Sequence, residues 1–336
     1  MLEAIAVAAL WSFFVVDITL EIIFYSFALL TVSLWLVLRQ VAPWLFWDHL
    51  TLSFCILLGV VVPWLYWDRH TPSRGGRRKW LQKPMRLLCR RIQSYFPLQI
   101  VKAKGARLPT TKNYILDIHP HGFCMAAAAA ALFSGGLQSA FPGIDFKTVV
   151  LDLTFLTLPF VREVSMGIGC ISQKEESIRH VLQSRAGGKA VVLFSGGIQE
   201  VFHMRPDAFR LRLKQRGFCR VALLEGAQLV PALMLGENLS YRQPLLQVMD
   251  WLYKQIGVRI PLFFGRGLFV KHIGMLPHRV PHTFVVGAAL DVRKTPDPTH
   301  EEVEALHFRY VKAVRNLYKE CGPQFNAASL PLVIST

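Results

Sequence analysis

Two long apolar runs near the start of the chain give way, further on, to short apolar runs alternating with amphipathic stretches. Ile22 to Leu38 is continuous and long enough to cross a bilayer when slightly extended. A second run covers Leu50 to Trp67, with Trp44, Trp47, Trp64 and Trp67 near its ends, as in an interfacial aromatic belt. Pro43 lies in the short link between them, so the two runs predict a transmembrane helical hairpin. The earlier run Leu2 to Val16, set apart by Asp17 and Glu21, lacks the basic start and small-residue cleavage site of a signal peptide. It reads as interfacial or partly inserted, with a third span as the competing reading.

Arg69, Arg74, Arg77, Arg78, Lys79 and Lys83 follow directly. An excess of Arg and Lys this close to a span marks the cytosolic side. Over Lys79 to Phe96, Leu81, Met85, Leu88, Ile92 and Tyr95 keep helical spacing while Arg86, Arg90 and Arg91 supply charge. That pattern suits a basic helix on an anionic membrane surface, and equally a solvated face packed on the following domain. From about Gln99 the pattern is that of an α/β domain. Strands are expected over 114–118, 148–153, 190–194, 229–235 and 283–286, and helices over 123–133, 174–184, 217–225, 245–256 and 298–321. The organisation expected is a membrane anchor (1–68), a basic linker (69–98) and a cytosol-facing α/β domain (99–336).

Composition agrees. Of 336 residues 52% are hydrophobic, a share that favours a membrane protein over a soluble enzyme. The formal net charge of +16 suits a membrane surface or a polyanionic substrate. No helix-turn-helix, zinc-finger or RNA-binding aromatic pattern accompanies it, so nucleic acid is disfavoured. A transporter is disfavoured too, since two or three spans provide few inverted repeats. Cys55, Cys89, Cys124, Cys170, Cys219 and Cys321 form no CxxC pair, which suits a reduced, cytosol-facing domain.

The candidate chemistry lies at predicted strand ends. His119-Pro120-His121-Gly122 closes the strand 114–118 and opens the Ala-rich helix. A histidine at a helix N-terminus is held neutral, and a neutral imidazole takes a proton from an attacking alcohol. The same helix end would steady an oxyanion, and Gly122 would let substrate approach. Two capping histidines are the plain alternative, and no third ligand stands at useful spacing for a metal. Gly196-Gly197-Ile198-Gln199-Glu200 follows the strand 190–194, which places Glu200 at the carboxyl edge of the sheet. There it would orient a histidine, or merely start a solvated helix. Arg162 would hold coenzyme A or pair with Glu163. Arg216, and Glu237 with Asn238, sit in turn-rich segments that line a pocket or shape a loop.

Taken in order, these segments resemble the diacylglycerol acyltransferase type 2 and monoacylglycerol acyltransferase family. The resemblance rests on Trp67-Asp68, Thr71-Pro72, Gly75 to Arg78, Tyr95-Phe96-Pro97, His119 to Gly122, Phe141 to Ile144, Gly196 to Glu200, Arg216 to Phe218, Leu229 to Pro231, Gly236 to Asn238 and Gly265 to Phe269. It implies a glycerolipid-acyltransferase-like α/β domain, a multi-pass protein of the endoplasmic reticulum or lipid-droplet surface, and acyl-CoA as co-substrate with no permanently bound cofactor. The HPHG motif falls on His119 to Gly122, with His121 as general base, and Glu200 is the implied partner of His121. Ala126 takes the place of the Asp that wider glycerolipid acyltransferases use. Pro120, Gly122, Arg162, Gly196, Gly197, Arg216, Glu237 and Asn238 are the expected substrate-binding residues. The expected partners are acyl-CoA, an acylglycerol and the bilayer, and self-association into a homo-oligomer is compatible with the reading. Ser172 to Glu175 and Gln199-Glu200, followed by Arg205-Pro206, look closer to the monoacylglycerol branch. Acylation of diacylglycerol or a long-chain alcohol is the alternative, and a lipid-binding scaffold the non-enzymatic one.

Overall fold

The structure is a computed structural model. It describes residues 59–60, 62–76, 79–123, 126–152, 159–243, 247–248, 251, 254–255, 263–267, 274, 276–325 and 330–336. The run Ile22 to Leu38, the run Leu2 to Val16, the start of the second run and most of the helix expected over 245–256 lie outside these residues. Among the described residues no helix is long and apolar enough to cross a membrane.

In chain order the elements are α1 (Val62–Trp67), α2 (Lys79–Tyr95), β1 (Leu98–Lys102), β2 (Tyr114–His119), α3 (Ala126–Phe133), α4 (Gly136–Ala140) and β3 (Asp145–Val150). Then come α5 (Pro159–Ile168), β4 (Cys170–Ser172), α6 (Glu175–Leu182), β5 (Lys189–Leu193), α7 (Gly197–His203), β6 (Phe209–Arg212) and α8 (Gly217–Glu225). The chain ends with β7 (Gln228–Leu235), β8 (His282–Val286), α9 (His300–Phe325) and β9 (Leu332–Ser335). Seven strands form one sheet in the order β1-β8-β7-β2-β5-β3-β4, and β6 pairs with β9 apart from it. From β7 to β4 the strands run parallel; β8 is antiparallel to β7, and β1 follows β8.

Parallel strands covered on both faces must be apolar on both, and β2, β5 and β7 are. In β2, Tyr114, Leu116 and Ile118 face a core shared with α3 and α4, while Ile115 faces the core built by α6, α8 and α9. Each fully buried Leu, Val or Ile contributes about 1.5–3 kcal/mol. The basic helix α2 packs on α3 and α5, burying Cys89 and leaving Trp80 and Leu87 exposed. Trp67 at the end of α1 is 89% exposed.

One ion pair ties the end of α1 to the domain. Arg162, in the first turn of α5, is 2% exposed and holds Asp68 Oδ2 at 2.5 Å, the Asp68 carbonyl at 2.6 Å and Glu163 at 3.1 Å. Of the two roles expected for Arg162, the pairing with Glu163 is present, and the guanidinium is shared with Asp68 inside the protein rather than held out to solvent.

Candidate active site

Asp117 and His119 interrupt the apolar pattern of β2. They are two residues apart on a strand and so share a face, that of α9. Both are fully buried. His119 Nε2 lies 3.0 Å from Asp117 Oδ2, and His119 Nδ1 lies 3.1 Å from Glu200 Oε1. With a carboxylate on each nitrogen the ring is a double donor, that is, an imidazolium. Burial alone would strip its proton, but Asp117 and Glu200 outweigh burial and raise the pKa to about 10. Burial likewise acts against the charge on Asp117. The imidazolium and hydrogen bonds from Ser195 overcome it and hold the carboxyl below its usual value.

The other lone pairs of these carboxylates are also taken. Asp117 accepts from the Ser195 amide at 2.9 Å, the Ser195 hydroxyl at 2.6 Å and the Tyr310 hydroxyl at 3.0 Å. Glu200 accepts from the His121 amide at 2.6 Å and the Arg212 amide at 2.9 Å. Thus Glu200 meets the ring of His119 and the backbone of His121, not the ring of His121 as expected. Gly196 makes this geometry possible: a Cβ there would stand 2.2 Å from a Glu200 carboxylate oxygen. Gly197 starts α7 with φ +58°, so Glu200 sits in the first turn of a helix, where a carboxylate is favoured.

The His119–Pro120 peptide is cis, and the chain then turns to present His121, which is half-buried. His121 Nδ1 lies 2.8 Å from the Gly122 carbonyl. A carbonyl only accepts, so Nδ1 carries the proton and Nε2 holds the lone pair. Burial lowers the pKa of the ring, keeping it neutral at physiological pH. Burial of the ring thus supplies the effect first expected from a helix end. Phe194 stands edge-on to the ring at 5.6 Å, and Phe123, two residues on, stacks on Phe263 at 4.1 Å, so aromatic rings border the turn.

Gly122 has φ +70°, and a Cβ on it would lie 2.4 Å from Glu237 Cγ. Glu237 and Asn238, in the single 3₁₀ turn after β7, are thus brought beside the histidine turn. Arg216 is not. It caps the start of α8, pairs with Glu304 of α9 and contacts the Lys214 carbonyl. Asp117, Ser195 and Tyr310 were missed as site residues. An acid inside an otherwise apolar strand, two residues before His119, is the signal that was available for Asp117. Nothing local marks Tyr310.

The site segments follow three neighbouring strands, β7, β2 and β5, at their carboxyl ends, where open α/β sheets keep their sites. His121, neutral and with no hydrogen-bond partner at Nε2 among the described residues, lies beside a buried imidazolium and two carboxylates, and such a ring can take a proton from an alcohol.

Comparison with known proteins supplies the family. Residues 46–334 match the family described as diacylglycerol acyltransferase. The human protein named 2-acylglycerol O-acyltransferase 1 is 36% identical over 75% of this chain and 77% of its own. The mouse protein named acyl-CoA wax alcohol acyltransferase 2 is 34% identical over 76% of this chain and 78% of its own. Among solved structures, the 1-acyl-sn-glycerophosphate acyltransferase PlsC from Thermotoga maritima matches 72% of this chain and 80% of that chain, at 10% identity and a TM-score of 0.44. The chain belongs to the diacylglycerol acyltransferase family, as its motifs suggested. It is an O-acyltransferase of lipid synthesis, with acyl-CoA the implied acyl donor.

Proposed function

We propose that this chain transfers an acyl group from acyl-CoA to 2-monoacylglycerol, forming diacylglycerol and free coenzyme A. The observation that carries the mechanism is the His121 Nδ1 hydrogen bond to the Gly122 carbonyl, 2.8 Å, which leaves Nε2 as a lone-pair base. His121 Nε2 removes the proton of the acceptor hydroxyl as its oxygen attacks the thioester carbonyl. The tetrahedral oxyanion is steadied by the Gly122 amide, because the His121 amide is already held by Glu200. The intermediate collapses, the C–S bond breaks, and the proton on His121 passes to the departing thiolate. Glu200 and His119 act as positioning residues: one pins the backbone of His121 and the other holds that carboxylate in place.

Support for the monoacylglycerol acceptor comes from the Ser172 to Glu175 segment and from the relatives named 2-acylglycerol O-acyltransferase. The membrane setting is part of the same reading. The segment up to Asp68 anchors the chain in the endoplasmic reticulum membrane with the α/β domain in the cytosol. The apolar runs, the basic residues after Trp67 and the exposed Trp67 and Trp80 support it.

The test is acyl transfer by membranes carrying the chain, given labelled acyl-CoA with monoacylglycerol, diacylglycerol, a fatty alcohol or a lysophospholipid in turn. Faster product formation from 2-monoacylglycerol than from the others is expected. Preference for diacylglycerol or the alcohol would replace the acceptor and keep the chemistry, and full activity in His121→Ala would end the mechanism.

A further inference from the structure

The turn after β7 holds two buried acceptors without a hydrogen-bond partner among the described residues. Glu237 is 1% exposed and Asn238 6% exposed. Among the described residues neither Glu237 Oε2 nor Asn238 Oδ1 has a hydrogen-bond partner. Buried acceptors without donors are rare and costly, so such a pair marks a place where a donor arrives.

Among the described side chains, His282 comes within reach of this carboxyl and is occupied. His282 Nδ1–H donates to the Val280 carbonyl at 2.8 Å, and His282 Nε2 lies 2.9 Å from the Ser240 hydroxyl, whose proton it accepts. Glu237 Oε2 is 3.5 Å from that same Nε2, farther than the Ser240 hydroxyl. On its other flank the carboxyl fills the place that a side chain at Gly122 would take, with Cγ and Oε1 each 2.4 Å from a Cβ built there. A second carboxylate therefore borders the catalytic turn on the β7 side, as Glu200 does on the β5 side. Glu200 is fully engaged by His119 and by two backbone amides, whereas Glu237 is not.

We propose that Glu237, with Asn238 beside it, is the subsite for the second hydroxyl of the acyl acceptor. This rests on the acceptor reading given above. A 2-monoacylglycerol carries two free hydroxyls on a three-carbon frame. One is presented to His121 Nε2 and reacts. The other donates to Glu237 and stays intact. Diacylglycerol and fatty alcohols have a single hydroxyl, which His121 claims, and they leave the buried acceptors of this turn unpaired. A site built to receive a hydroxyl rejects a substrate lacking it far more strongly than an apolar pocket rejects a missing methylene. Glu237 is then the residue of this chain that receives the spare hydroxyl of a diol acceptor.

The experiment uses the full chain in membranes with two acceptors, 2-oleoylglycerol and 2-oleoyl-propane-1,2-diol, which lacks only the second hydroxyl. In the wild-type chain, deleting that hydroxyl is expected to lower kcat/KM about 10- to 100-fold. In Glu237→Met, which removes both acceptor oxygens at similar length, 2-oleoylglycerol falls to the level of the deoxy acceptor and the two agree within about threefold. Glu237→Gln, which keeps one acceptor oxygen, falls between. Equal use of the two acceptors by the wild-type chain overturns the subsite, and that measurement needs no variant to fold. Equal losses on both acceptors in Glu237→Met overturn it as well, since they indicate a structural role. A wild-type chain that acylates neither acceptor refutes the acceptor reading itself, and so is told apart from both.

Discussion

His119 and Glu200 are 81 positions apart in the chain and 3.1 Å apart in the fold, and Glu200 reaches the backbone rather than the ring of His121. Two histidines separated by a single proline thus do opposite work. His119 is buried, charged and clamped between carboxylates. His121 is half-buried and neutral, and its Nε2 keeps the lone pair.

Removing the base should lower acyl transfer without unfolding the protein. We expect His121→Ala to lose about 10²- to 10⁴-fold in kcat. Because burial holds the pKa of His121 below its ordinary value, kcat/KM should stay level from neutrality to below about pH 6.5 and fall only in more acidic solution. A rate profile on detergent-solubilised enzyme checks both, and a half-maximal rate well above that pH would contradict the assignment.

His119 should reveal itself in stability. Its folded pKa is raised to about 10, so its contribution is complete below the unfolded value of about 6.5 and is lost as pH climbs through about 10. Thermal unfolding followed between those limits should show the wild-type protein weakening. His119→Gln leaves Asp117 and Glu200 buried without their cation, which should cost about 3–5 kcal/mol and flatten this part of the pH dependence. Unchanged melting in the variant would show that no imidazolium is present.

The Asp68–Arg162 pair gives a contrast with the expectation of a coenzyme A contact. Asp68→Asn leaves the Arg162 guanidinium, 2% exposed, without its closest carboxylate. A loss of about 3–5 kcal/mol in stability is expected, with the KM for acyl-CoA of the folded fraction unchanged. A raised KM at wild-type melting temperature would restore the arginine to the substrate.

Gly122 tolerates no side chain. With φ +70° and Glu237 Cγ 2.4 Å from the built Cβ, Gly122→Ala must displace either the carboxylate or the histidine turn. We expect about 1–3 kcal/mol of destabilisation. A shift of about 1 Å in His121 is enough for roughly a 100-fold loss of kcat. Acyl transfer within twofold of wild type, read beside circular dichroism, would show that the turn has slack.

How much of this could be read in advance follows from where burial lies. β2, β5, β7 and β8 were legible because burial on both faces demands unbroken apolar runs. β3 was expected over 148–153 but occupies Asp145–Val150, because Asp145 and Lys147 disguise its start and Leu151 leaves the sheet. β1 escaped notice as an edge strand, where Gln99 and Lys102 face solvent, and β4 has only three residues. The segment 159–168 gave no helical expectation, yet it forms α5 and buries Arg162.

By itself the sequence determined the family, the central strands and the two motifs that flank the site, since these rest on local periodicity and on residue types in a fixed order. Only the tertiary structure decided which group each ionisable side chain meets. Tyr310 reaches Asp117 across 193 positions, and the strand order β7-β2-β5 sets Glu237 and Glu200 on opposite sides of His121. The physical reason is that proton ownership depends on distance and burial, which arise when separate strands become neighbours and have no counterpart along the chain.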